Sequence, residues 1–124
     1  MLWLVDTNIL IDRMRGRTEA LALVRDRLRD LATSSLVIAE LYQGVRDHER
    51  EALDELRDSL TVLDVTVAIA QKGGLYAKEF RSSHGAGLID CMIAATASYY
   101  GLQLVTLNAK HFPMLPDVDV PYLA

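Results

Sequence analysis

The chain has 124 residues, of which 51% are hydrophobic and 24% charged, with a net charge of −4. That length sustains one domain with a sizeable core, and the charge balance argues against a simple basic nucleic-acid module. No apolar run is long enough to span a membrane, the first residues lack a signal-peptide pattern, and the single cysteine can form no internal disulfide, so a single domain over residues 1–124 in a reducing cytoplasm is expected.

Residues 2–5 form a continuous apolar run and predict a short buried strand. Asp6 or Thr7 can cap a following helix, which Gly16 would end. Residues 18–31 place Leu21, Val24, Leu28 and Leu31 at helical spacing. Ser34 or Ser35 starts the next helix, over residues 36–45. Residues 47–60 read as a charged amphipathic helix with Leu53, Leu56 and Leu60 on its apolar side. Residues 61–65 predict a second strand, and Thr66 caps a helix reaching about residue 82. Gly73 and Gly74 lie inside it, where each costs up to about 1 kcal/mol, and close packing against a neighbour would explain the pair. Residues 84–87 are a break. Residues 88–100 are an almost wholly apolar helix stopped by Gly101. Residues 102–107 predict another buried strand, residues 108–112 a turn or short helix, and residues 118–120 a last short strand. Strands alternating with helices imply an α/β chain, a three-layer α/β/α arrangement around a central parallel sheet of about four to five strands.

Charge is unevenly spread. Residues 13–29 hold six arginines against Glu19 and Asp26, a local +4, which leaves −8 on the rest. Arginine suits bidentate binding of phosphate or carboxylate. The plainer reading is a solvated helix face with i,i+4 pairs. The functional one is a phosphate or partner surface, with Arg15 and Arg17 as candidate substrate contacts.

Three acids sit in apolar surroundings. Asp6 follows the first strand, and in open α/β sheets ligands bind beyond the carboxyl ends of strands. Glu40 has Leu36, Val37 and Gly44 as its helical neighbours; Asp90 has Ile93, Ala94 and Ala97. Acids on the inward face of a helix need partners. Asn108 lies just past the strand of residues 102–107, so it shares the crevice if that strand neighbours the first. A hard divalent cation held by carboxylates, Mg²⁺ above all, would compensate these charges. No Cys/His spacing suggests zinc. Structural capping or pairing is the plainer alternative for each acid taken alone. Asp12 has no role beyond that of an exposed acid.

The segments "LVDTNILID", "SLVIAELYQGV", "GLIDCMIAATA" and "LVTLNAKHF", in this order and spacing across nearly the whole chain, resemble a PIN domain of the kind found in VapC-type toxins. The resemblance implies a PIN-like fold and a Mg²⁺- or Mn²⁺-dependent endoribonuclease. It carries the acidic positions onto Asp6, Glu40 and Asp90 as catalytic and metal-binding residues. The fourth position, often Asp, falls on Asn108 after Thr106, which removes one charge. It also implies a homodimer inhibited by a small antitoxin, with RNA as substrate and no membrane partner. Thr7 and Asn8, at a helix N-terminus that favours anions, join Thr106 as candidate substrate-binding residues, with a plain N-cap the alternative for Thr7.

Cys91 reads as a small buried hydrophobe. His111 reads as a surface or packing histidine, Lys110 as a weak phosphate candidate, and Tyr42, Tyr76, Tyr99 and Tyr100 as core or interface residues. Three other functions compete. A receiver-like phospho-acceptor domain also gathers acids and Mg²⁺ at strand ends, but it needs an early acidic pair that is missing. A catalytically inactive PIN scaffold would only bind a partner or RNA, and Asn108 keeps it open. A dehalogenase-like phosphatase needs an Asp where Asn8 stands and ranks low.

Overall fold

The computed structural model of the protein describes all 124 residues, except for the side chain of His84. Five short strands form one parallel sheet. They are β1 (Trp3–Val5), β2 (Leu31–Ser34), β3 (Thr61–Leu63), β4 (Gln103–Val105) and β5 (Val118–Asp119). Their order across the sheet is β3-β2-β1-β4-β5. Trp3 lies opposite both Leu31 and Gln103, so β1 is the central strand. Its Leu4 and Val5 are wholly buried, as are Leu104 and Val105 beside them. This is why the central strands read as unbroken apolar runs and do not alternate.

Six helices connect the strands: α1 (Thr7–Met14), α2 (Thr18–Arg27), α3 (Ser35–Gly44), α4 (Arg50–Ser59), α5 (Val67–His84) and α6 (Leu88–Tyr100). From β1 to β3 the chain steps outward in one direction, then crosses back to β4 on the other side of β1. Right-handed connections therefore put α1–α4 on one face of the sheet and α5 and α6 on the other. The result is the expected α/β/α sandwich with five strands. The order differs from the 2-1-3-4-5 order of receiver-type sheets. Among the described residues, no helix is long and apolar enough to cross a membrane.

Local chemistry accounts for the helix ends. Asp6, not Thr7, caps α1, accepting a hydrogen bond from the Thr7 backbone N–H at 2.8 Å. Ser34 caps α3 and Thr66 caps α5 through the same kind of bond. Gly101 ends α6 at φ 66°, a left-handed turn that a side chain would strain.

The structure departs from the expectation most clearly at β2. Residues 18–31 are not one helix. α2 stops at Arg27, a single 3-10 turn covers Leu28–Asp30, and Leu31 begins a strand between β1 and β3. The helix expected over residues 47–60 likewise opens with a 3-10 turn at Asp47–Glu49. Of the two glycines in α5, only Gly73 marks a close approach. A Cβ there would stand 2.9 Å from the Met92 Cα, whereas Gly74 faces open space.

Candidate active site

The strand order reverses between β1 and β4, and such a reversal opens a crevice at the carboxyl ends of the two strands. Asp6 leaves β1 into this crevice; Thr106, Leu107 and Asn108 leave β4 into it. Glu40 comes from the middle of α3 and Asp90 from the first turn of α6. A cleft of about 320 Å³ results, lined by Asp6, Glu40, Asp90, Asn108 and His111, with Thr7, Asn8 and Ile11 of α1 at its side.

Asp6 is only 7% exposed. Its Oδ1 accepts the Thr7 N–H, and its Oδ2 accepts the Thr106 hydroxyl at 2.7 Å. Thr106 also accepts from Asn8 Nδ2 and from the Asn108 backbone N–H, both at 3.2 Å. Asn8 Oδ1 accepts from the Leu107 N–H at 3.4 Å. The Thr7 hydroxyl donates to Glu40 Oε1 at 2.7 Å. Thr7 and Asn8 thus turn their polar groups toward protein partners, and fully buried Thr106 presents no surface to a substrate. Together they tie the ends of β1 and β4 to α1 and α3, and so set the direction of the acids.

Burial above all pushes the Asp6 carboxyl over its ordinary value of 3.8, with Asp90 and Glu40 adding repulsion and the bonds from Thr106 and Thr7 opposing it. Asp90 is raised as well, first by burial; His111 opposes that and Glu40 adds to it. His111 Nδ1 lies 3.8 Å from Asp90 Oδ2. Among the described residues, no three His, Cys, Asp or Glu side chains already stand close enough to enclose a metal ion. The acids share the cleft without forming a closed cage.

The two arginines expected at the substrate lie away from this cleft. Arg17 lies 3.5 Å from Asp12 and also 3.5 Å from Glu19, donates to the Leu123 carbonyl, and stacks over the Tyr122 ring. Asp12 is therefore a partner of Arg17 and of the Tyr122 hydroxyl (2.9 Å), not a plain exposed acid. Arg15 lines a second cleft. His111 is half exposed, as the surface reading expects, and it also lines the cleft, which nothing in "NAKHF" shows because the turn after β4 folds back toward α6 only in three dimensions. Glu49 was missed outright: it is 6% exposed, although its stretch is polar. Cys91 is buried, as expected.

A family model described as PIN domain matches residues 3–116. Ribonuclease VapC19 of Mycobacterium tuberculosis is 41% identical over 123 residues, covering 96% of this chain and 98% of its own length. A toxin–antitoxin complex from Klebsiella pneumoniae contains a chain that superposes with a TM-score of 0.84 at 30% identity, over 98% of each chain. A DNA-bound VapBC from Salmonella typhimurium gives 0.81 at 25% identity, over 96% of each.

Proposed function

The chain belongs to the PIN-domain family, and on that premise we propose that it is a divalent-metal-dependent endoribonuclease, the toxin of a toxin–antitoxin pair. Family and fold support a nuclease function in general. The observation that carries the finer reading is the meeting of Asp6, Glu40 and Asp90 in one cleft at the reversal of strand order.

The donor set suits a hard cation. All three groups are carboxylates, which match the oxygen preference of Mg²⁺, and Mg²⁺ keeps several waters, so a closed protein cage is not needed. Each Asp6 oxygen accepts one hydrogen bond and keeps lone pairs for a cation. Asp6 and Asp90 would hold the ion, with Glu40 binding it directly or through water, or acting as general base. Bound Mg²⁺ or Mn²⁺ supplies Lewis-acid stabilisation of phosphate charge and a more acidic attacking water.

The chain's own groups do the rest. Thr106 and the Thr7 N–H hold the Asp6 carboxylate in one orientation. Thr7 holds Glu40 by the same means. Asn108, neutral at a cleft position, donates an amide N–H to a phosphate oxygen without adding to the repulsion among the acids. His111 stands beside Asp90 as a further donor toward the substrate.

A small antitoxin and a second copy of the chain are the protein partners of this reading. The Klebsiella chain was solved as a toxin–antitoxin complex. Leu75 on α5, and Leu88 and Ile89 on α6, leave apolar surface exposed for such contacts.

The deciding assay incubates the purified protein with total RNA in Mg²⁺ or in EDTA. Cleavage is expected only with Mg²⁺, and Asp6→Asn or Asp90→Asn should lower it by roughly a hundredfold or more, the scale of removing one electrostatic group from a site. Cleavage that survives EDTA or both substitutions overturns the mechanism. Intact RNA with all proteins favours the inactive scaffold, for which Asn108 is the supporting observation.

A further inference from the structure

Most arginines of residues 13–29 that form ion pairs do so with carboxylates of α1, α2 or β5. Arg17 pairs with Asp12 and Glu19, Arg25 with Asp26 at 2.9 Å, and Arg27 with Asp119 at 2.6 Å while stacking on Trp3. Arg15 is different. It lines a cleft of about 570 Å³ together with Arg46 and His48, residues that lie just beyond α3.

The floor of this cleft is built around Glu49. Its buried carboxylate accepts the Arg46 backbone N–H at 3.1 Å and lies 3.5 Å from Arg15 Nε. The Arg46 guanidinium also acts on this carboxylate electrostatically, but donates no hydrogen bond to it or to any other described residue. Each guanidinium carries five N–H donors. One carboxylate cannot saturate two of them, so the lining keeps a positive excess and more donors than Glu49 can accept.

Its position relates it to the acids. Thr7 and Ile11 line the acidic cleft; Met14 and Arg15 line the basic one. These residues stand at i, i+4, i+7 and i+8, which is one face of α1. Both clefts therefore lie along one side of α1 and its C-cap, with Thr7 and Arg15 about 12 Å apart along the axis at 1.5 Å of rise per residue. The acidic cleft repels a phosphate backbone, and the chain as a whole carries −4. Affinity for nucleic acid comes largely from Lys and Arg contacts to phosphates, so a strand entering the acidic cleft needs a cationic hold beside it.

We propose that the cleft of Arg15, Arg46 and His48 is a backbone-phosphate site that grips an RNA strand one helix-length from the acids. The proposal rests on the nuclease reading above and adds the residues that hold the substrate.

Binding is measured in EDTA, where no cleavage occurs, by the fluorescence anisotropy of a short fluorescein-labelled single-stranded RNA over a range of KCl concentrations. The proteins are the natural chain, Arg46→Gln, Arg15→Gln/Arg46→Gln, and Arg25→Gln as a surface-charge control. Circular dichroism melts check folding, because loss of Arg15 leaves Glu49 without its nearest cation. Arg46→Gln keeps that pair and is decisive by itself. Arg46→Gln should weaken binding roughly 3- to 10-fold at low salt and make the salt slope shallower by about 0.7 for each phosphate that is no longer neutralised, with Arg25→Gln unchanged. Unaltered affinity and slope in Arg46→Gln and the double variant, while the natural chain still cleaves RNA, overturns the phosphate site and leaves the nuclease reading intact. An equal loss in Arg25→Gln overturns it too, since the effect is then general charge. So does Arg46-dependent binding of an oligoglutamate peptide in place of RNA, which marks a protein-docking cleft. Arg46-dependent RNA binding with no cleavage in Mg²⁺ supports the site and overturns the catalytic reading alone.

Discussion

The Thr106 hydroxyl makes three hydrogen bonds, and only one of them can use its proton. Its contacts with Asn8 Nδ2 and the Asn108 backbone N–H supply protons to it, so its own proton goes to Asp6 Oδ2. One buried side chain thereby satisfies two donors and requires an accepting oxygen on the acid. Thr106→Val keeps the shape and removes all three bonds. Unsatisfied buried polar groups cost about 1–3 kcal/mol each, so the denaturant midpoint should fall by an amount of that order, together with a loss of cleavage. An unchanged midpoint would remove Thr106 from the account of how Asp6 is oriented. Sequence alone could pick out Asp6, Glu40 and Asp90 because carboxylates are anomalous in apolar runs. It could not pick out Glu49, which lies in a charged stretch and is buried only because Arg15 and the Arg46 N–H reach it. The partners of Arg17 and Arg27 were hidden for a related reason. Tyr122 and Asp119 are about a hundred residues away in the chain and adjacent only after β5 is laid down.

Among the elements, the long periodic helices and the caps Asp6, Ser34 and Thr66 were readable, since apolar spacing and cap chemistry are local. β2 was not. Its first residue, Leu31, falls on the helical stripe of the residues before it, the next ones include Thr33 and Ser34, and no glycine or proline immediately precedes them. Their place in the sheet depends on β1 and β3 to either side, and on the Thr33 hydroxyl donating to the Val5 carbonyl at 2.9 Å. The packing of α5 on α6 offers a matched pair of tests. In Gly73→Ala the new Cβ would approach Met92 Cγ to 2.6 Å, so the helices must separate; overpacking of this kind costs about 1–3 kcal/mol. Gly74→Ala meets nothing within van der Waals reach and should stabilise by about 0.5–1 kcal/mol, because alanine is the better helix former. Thermal melts of the two variants should shift in opposite directions. Shifts of the same sign would mean that the helices do not pack through Gly73.

At the scale of the whole molecule, the acids act on stability with opposite signs. Asp6 and Asp90 titrate above their ordinary 3.8 in the folded chain. Their contribution is complete below that value and is lost as pH rises through the raised ones. Glu49 is held below its ordinary 4.5, first by the Arg46 backbone N–H. It stabilises the fold above 4.5, and that contribution is lost as pH falls through its lowered value. At neutral pH, then, the metal-free cleft carries repulsion that a cation would relieve. Mg²⁺ or Mn²⁺ should raise the Tm at pH 7, by about 2.7 kcal/mol of added stability at a hundredfold excess over Kd. Asp90→Asn should melt higher than the natural chain in EDTA and gain much less from the metal. A Tm indifferent to both ions would count against Asp6 and Asp90 as ligands.

The bond between Asp6 and Thr106 spans 100 residues of chain. The acid is synthesised a hundred residues before the hydroxyl that orients it, and before the strand that flanks β1 on its other side. A nascent chain short of β4 can pair β1 with β2 and build α1 to α4, yet it has no crevice, because the reversal of strand order does not exist until β4 arrives. Synthesis thus delays assembly of the site until β4 has been translated. The acid and the group that orients it are separated by about a hundred residues of synthesis, and the cleft stays incomplete through all of them.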